Sequence, residues 1–143
     1  MYPHIWFWLE QVPHALALVR QINRPQLGLA FNLPHYLALT NREEQRALTS
    51  LLTECKPYLK LMTICGATPT DETDSRKIWN YLIQPLGQGS FDTFGLVQFA
   101  IREVGFNGPI GLQSYNLKGN KPNNMRRSLA VWNTWKQKLE AQP

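Results

Sequence analysis

Apolar positions along the chain change period several times. Val12, Leu16, Val19 and Ile22 recur at helical spacing, and Asn23 to Pro25 closes that helix. The stretch "LGLAFNLPHYLAL" comes next. Residues 27–31 read as a short buried strand, and the polar Asn32 and His35 arrive at its end. Thr40 and Glu43 then stand at capping-box spacing. Leu48, Leu51, Leu52 and Cys55 give the following helix its apolar face, and Pro57 stops it. A second strand, "YLKLMTI", covers residues 58–64. A long connection rich in Thr, Asp, Pro and Gly runs from Cys65 to about Ser90, and connections of that length carry function or short helices. Asp92 caps a helix whose Phe94, Val97, Ile101 and Val104 share one face, with Gly105 closing it. A third strand, "PIGLQ", covers 109–113. The last helix starts near Pro122, and its Met125, Leu129, Trp132 and Leu139 are expected to point inward together.

Strands that alternate with helices pair in parallel through crossovers, so the pattern predicts an α/β fold. Apolar residues throughout the short strands predict a sheet covered on both faces. "MYP" at the start reads as the tail of one further strand cut off upstream, which makes four strand–helix units. Trp6, Phe7 and Trp8 follow it with no preceding strand to lie beside. They are expected to leave apolar surface uncovered and to seek a partner, either a second copy or a missing N-terminal half.

Chemistry in parallel α/β proteins gathers at the carboxyl ends of strands. This chain places Tyr2 and His4, Asn32 and His35, Thr63, and Gln113 with Ser114 and Tyr115 at those ends. Each has a bland role available to it: Asn32 in an Asx-turn, Thr63 as an ordinary strand residue, Gln113 as a satisfied buried amide. Their gathering at one edge points instead to a pocket for a polyhydroxylated ligand.

The motifs at these ends resemble the C-terminal half of the xylose isomerase-like barrels. That superfamily includes sugar and sugar-phosphate isomerases and epimerases, and endonuclease IV. "LGLAFNLPH" is similar to its strand ending in Asp-x-x-His, and "YPH" to its Glu-x-His strand end. "PLGQGSFDTFGLVQFAIREVGFNGPIGLQSY" resembles its glycine-rich block. The resemblance spans nearly the whole chain and implies a single domain over residues 1–143, a partial (β/α)8 barrel holding about strands five to eight with their helices. It implies a sugar or sugar-phosphate isomerase or epimerase acting by proton transfer next to a carbonyl. Members hold a divalent metal such as Mn²⁺, Mg²⁺ or Zn²⁺ through carboxylates and histidine, but the matching positions here are Tyr2, Asn32, Thr63 and Gln113. Neutral amides and hydroxyls bind a hard cation weakly and cannot take the proton, so no metal ligand is assigned. His4 and His35 become the candidate catalytic residues. Tyr2, Asn32, Thr63, Gln113 and Tyr115 become candidate substrate-binding residues. The loop "NLKGNKP", 116–122, adds Lys118 and Lys121 for a phosphate or acidic group. The alternative is a carbohydrate-binding relative, or an inactive fragment, that kept polarity and lost charge.

Composition narrows the partners. The 143 residues suffice for one core, and 43% hydrophobic against 17% charged content argues against disorder. No apolar run of about 18 residues exists, so no membrane partner is expected. Cys55 and Cys65 form no CxxC pair and read as buried free thiols in the cytoplasm. Of the net charge of +5, much lies between Lys118 and Lys138, where no acidic residue occurs. That run reads as a solvated helix face rather than a nucleic-acid surface. An endonuclease would also need His and Asp ligands that "LIQPLGQGSF" does not offer.

Overall fold

Three of the expected strands form, and the fourth does not. A computed structural model of the chain, describing residues 1–141, has β1 (Leu29–Asn32), β2 (Leu59–Ile64) and β3 (Ile110–Leu112) in one parallel sheet of order β1-β2-β3. The expected half-barrel of four strands is corrected accordingly: the sheet is open and three-stranded, with seven helices among the described residues.

The reason the first strand fails is local. The Met1 ammonium donates to the Gly28 carbonyl, and Ala30 N–H donates to the Met1 carbonyl at 2.8 Å. This is the start of a parallel ladder along the free edge of β1. The next rung would need an N–H from residue 3, and that residue is proline. Pairing stops after one residue.

Helix α1 (Val12–Ile22) buries Val12, Ala15, Leu16 and Val19 and leaves Ile22 exposed. It ends at Asn23, whose backbone is left-handed (φ 47°). Strand β1 passes into α2 (Leu33–Leu39) with no loop between, because Asn32 caps the helix and Pro34 is pre-shaped for its first turn. The capping box lies one residue later than expected. Asn41, not Thr40, caps the short α3 (Arg42–Arg46), and Glu44 returns the bond to Asn41 N–H at 2.8 Å. Helix α4 (Leu48–Cys55) then buries Leu48, Leu52 and Cys55.

The sheet is covered unequally. Phe31 and Met62 lie side by side on the core face with Ile64, and all are buried. Ala30, Leu61, Thr63 and Gly111 share the opposite face and are only half-buried. The expectation of two covered faces holds for one.

The connection after β2 is folded back on itself. Gly66 and Gln84 exchange backbone hydrogen bonds at 3.0 and 2.8 Å, and Phe91 N–H reaches the Ala67 carbonyl at 2.9 Å. Gly89 has φ 87°, and a Cβ there would collide with the Ala67 carbonyl oxygen, so only glycine lets the two segments close. The fold-back carries the single turn α5 (Trp79–Leu82) and leads to α6 (Thr93–Arg102), capped by Asp92 as expected.

The long α7 (Lys121–Ala141) presents a different face from the one expected. Asn124, Ser128 and Trp135 are buried, while Met125 and Leu129 are 47% and 59% exposed. Two polar anchors set this rotation: Ser128 Oγ accepts from Leu86 N–H at 3.0 Å, and Asn124 Nδ2 donates to the Lys118 carbonyl at 2.7 Å. Among the described residues no helix is long and apolar enough to cross a membrane.

Ser128→Ala leaves the buried Leu86 N–H without its acceptor. The expected cost is about 1–3 kcal/mol, read as a lower urea midpoint at unchanged m-value. An unchanged midpoint would show that α7 is not anchored through this bond.

Candidate functional site

A cavity of about 430 Å³ opens where the strands end. Tyr2, His4, His35, Gln113 and Tyr115 all line it, drawn from the N-terminal segment, the first turn of α2 and the segment after β3. Three further lining residues, Trp6, Trp79 and Ile83, were missed by sequence reasoning. Trp79 sits in the long connection, whose length was its only signal. Trp6 was read as an uncovered aromatic; it is 58% exposed, yet its ring stands edge-on to Trp79 at 5.6 Å.

Asn32 does not line the cavity; it builds it. The residue is 2% exposed, and both ends of its amide are engaged. Its NH2 donates to the Tyr2 hydroxyl at 2.6 Å, and its Oδ1 accepts from His35 N–H at 3.4 Å. The Tyr2 oxygen accepts that bond, so its own proton stays available to a ligand. Burial raises the Tyr2 pKa above 10.0, which keeps the phenol protonated.

The two histidine rings lie against each other at a tilt, their centroids 4.0 Å apart and their planes at 45°. His4 Nδ1 lies 2.7 Å from the Ile5 carbonyl, which can only accept, so Nδ1 carries a proton and Nε2 is the nitrogen left for a ligand. His35 is kept neutral by its surroundings. Burial, reinforced by the neighbouring His4, lowers its pKa from 6.5 to about 4. Its Nδ1 is the only buried side-chain polar atom without a partner among the described residues. An orphaned N–H is rarer in proteins than an under-satisfied acceptor, which favours the tautomer with the proton on Nε2. One ring can therefore accept a proton while the other can donate a hydrogen bond.

Gln113 Oε1 accepts from Tyr115 N–H at 3.2 Å, leaving its NH2 for a ligand. Thr63 stands apart: its hydroxyl points to the Phe31 carbonyl at 3.5 Å, and it is not on the lining. Neither Lys118 nor Lys121 lines the cavity. Lys118 Nζ donates to Asn116 Oδ1 at 3.1 Å, and Lys121 opens α7.

The divalent metal implied by the sequence resemblance does not fit these donors. The Asn32 carbonyl oxygen is turned to a backbone N–H, and the Tyr2 hydroxyl is a neutral phenol. Among the described residues no group of three or more His, Cys, Asp or Glu side chains is placed to hold an ion. No protein-family profile matches the chain, and no curated protein matches it at a significant level.

The His35 pKa has a consequence for stability. The unfolded chain takes up this proton near 6.5, and the folded chain resists until about 4, so protons favour unfolding across that window. Folded stability should fall as pH drops through it, by on the order of 3 kcal/mol, and level off below. His35→Phe keeps the ring and removes both the titration and the orphaned nitrogen. Its stability curve between those pH values should be flatter than wild type's; parallel curves would show that His35 does not carry the effect.

Proposed function

We propose that this chain binds a small polyhydroxylated carbonyl compound of the sugar class and moves a proton next to its carbonyl. The observation that carries the reading is the histidine pair on the cavity wall, one ring an acceptor and the other a neutral donor. Pairs of titratable groups driven to different protonation roles mark acid–base sites. His4 Nε2 takes the proton from the carbon beside the carbonyl. The C–H electron pair moves into the carbon–carbon bond, and the carbonyl oxygen gathers charge against the His35 N–H. The hydroxyl on the deprotonated carbon passes its proton to that oxygen and becomes the new carbonyl, and His4 returns its proton to the former carbonyl carbon, which completes an aldose–ketose exchange. The Tyr2 hydroxyl and the Gln113 amide hold sugar hydroxyls. The resemblance of residues 27–35 and 85–115 to xylose isomerase-like proteins supports the same ligand class, and the buried free thiols Cys55 and Cys65 fit a cytoplasmic location.

A second reading has its own support. None of the lining side chains is a carboxylate, lysine or arginine, and such a cavity suits a carbohydrate-binding protein without turnover. Incubating the protein with aldoses and ketoses in D2O separates the two. The expected result is deuterium incorporation next to the carbonyl, lowered about 10²–10⁴-fold by His4→Gln, the usual worth of a general base. Saturable binding without exchange selects the second reading. Absence of both binding and exchange rejects both.

A further inference from the structure

We propose that the cavity is shaped for an uncharged sugar ring, its C–H face laid against the exposed Trp6 indole that Trp79 supports, and that it rejects the phosphorylated form of the same sugar. This rests on the carbohydrate reading above and adds to it the charge state and the wall that selects it. The Trp6 and Trp79 rings meet at 86° with centroids 5.6 Å apart, so the buried Trp79 backs the exposed Trp6 ring at the cavity mouth. Ile83 adds apolar surface beside them. Indole faces carry the negative side of a quadrupole and attract the weakly positive C–H face of a sugar ring, not an anion.

No lysine or arginine lines the cavity to compensate a phosphate. Lys118 and Lys121 lie off the lining, and the Met1 ammonium is taken by the Gly28 carbonyl. A phosphate entering would lose water and meet no lysine or arginine in return.

The backbone at Trp6 gives the second observation. Its φ is 69°, a region that costs a bulky side chain on the order of 1–3 kcal/mol. The loop is fixed there by three bonds: His4 N–H to the Leu9 carbonyl at 3.0 Å, Phe7 N–H to the His4 carbonyl at 3.0 Å, and Trp6 N–H to Glu10 Oε2 at 3.1 Å. The strain does not serve the core, since the side chain is more than half exposed. It holds an indole at the mouth of the cavity.

Trp6→Gly removes the indole and relieves the backbone at once, so loss of fold and loss of binding are separated. The test is calorimetry and ligand-observed NMR with xylose, glucose and fructose, each paired with its terminal phosphate ester. At least one neutral sugar should bind, and its phosphate ester should bind at least about tenfold more weakly. Trp6→Gly should weaken the neutral sugar about five- to tenfold, with thermal stability equal to or above wild type's. A phosphate ester that binds as tightly as its neutral parent overturns this inference and leaves the proton-transfer reading standing. So does full affinity in Trp6→Gly. If no sugar of either kind binds, the carbohydrate reading and this inference fall together.

Discussion

The side chain of Asn32 is where strand, helix and cavity meet. Its backbone ends β1, its oxygen caps α2, and its nitrogen fixes the Tyr2 hydroxyl. Each of these needs the other two. Because the cap lies on the last residue of the strand, α2 starts without a connecting loop and His35 is delivered to the rim in the first helical turn. Because the amide nitrogen donates to Tyr2, the N-terminal segment lies over the sheet edge and brings His4 onto His35. A carboxylate in its place would still cap the helix, but it could not donate to the phenol oxygen. It would also bring a charge to a site with almost no solvent. The neutral amide is therefore matched to a neutral surrounding, and the low charge of the cavity begins here.

The regular elements were legible because burial imposes a period. The stripes of α1 and α4 and the three apolar strands follow from side chains that have only one dry side to face. In α6, by contrast, Leu96 and Ala100 are buried beside Val97, and the expected Phe94 and Ile101 are only half-buried. The misreadings occur where a polar group decides. Met125 and Leu129 look like an inward stripe by hydropathy, but Ser128 and Asn124 hold bonds that turn α7 past that face. Thr40 and Asn41 both suit a helix cap, and only the longer reach of the Asn41 side chain meets two N–H groups at 2.9 and 3.0 Å. A strand at residues 1–3 fits the apolar pattern, yet a single missing N–H ends it.

The site was legible in part for the same reason. Tyr2, His4, His35, Gln113 and Tyr115 could be gathered from sequence because parallel strands point their carboxyl ends the same way. Trp79 could not, since its place depends on the fold-back of the crossover through Gly66 and Gln84, a contact that hydropathy does not encode. Lys118 and Lys121 were drawn toward the site by proximity in sequence to β3. The turn at Asn116 and Gly119, both at positive φ, carries the chain onward, and neither lysine reaches the lining.

The paired histidines show how the cavity holds two imidazole rings close together. Two imidazolium rings 4.0 Å apart would repel each other strongly, and the buried one has no carboxylate partner to offset desolvation. The pair is therefore stable only when at least one ring is neutral, and burial selects His35 for that role. Trp79 reinforces the choice by standing edge-on to His35 at 5.5 Å, offering an apolar neighbour in place of a hydrogen-bond acceptor. The Ile5 carbonyl does the complementary work on His4, fixing which nitrogen keeps its proton. The absence of carboxylates from the lining and its aromatic crowding are then one constraint seen twice. With no carboxylate, lysine or arginine on the lining, hydrogen bonding there falls to imidazole, phenol and amide groups.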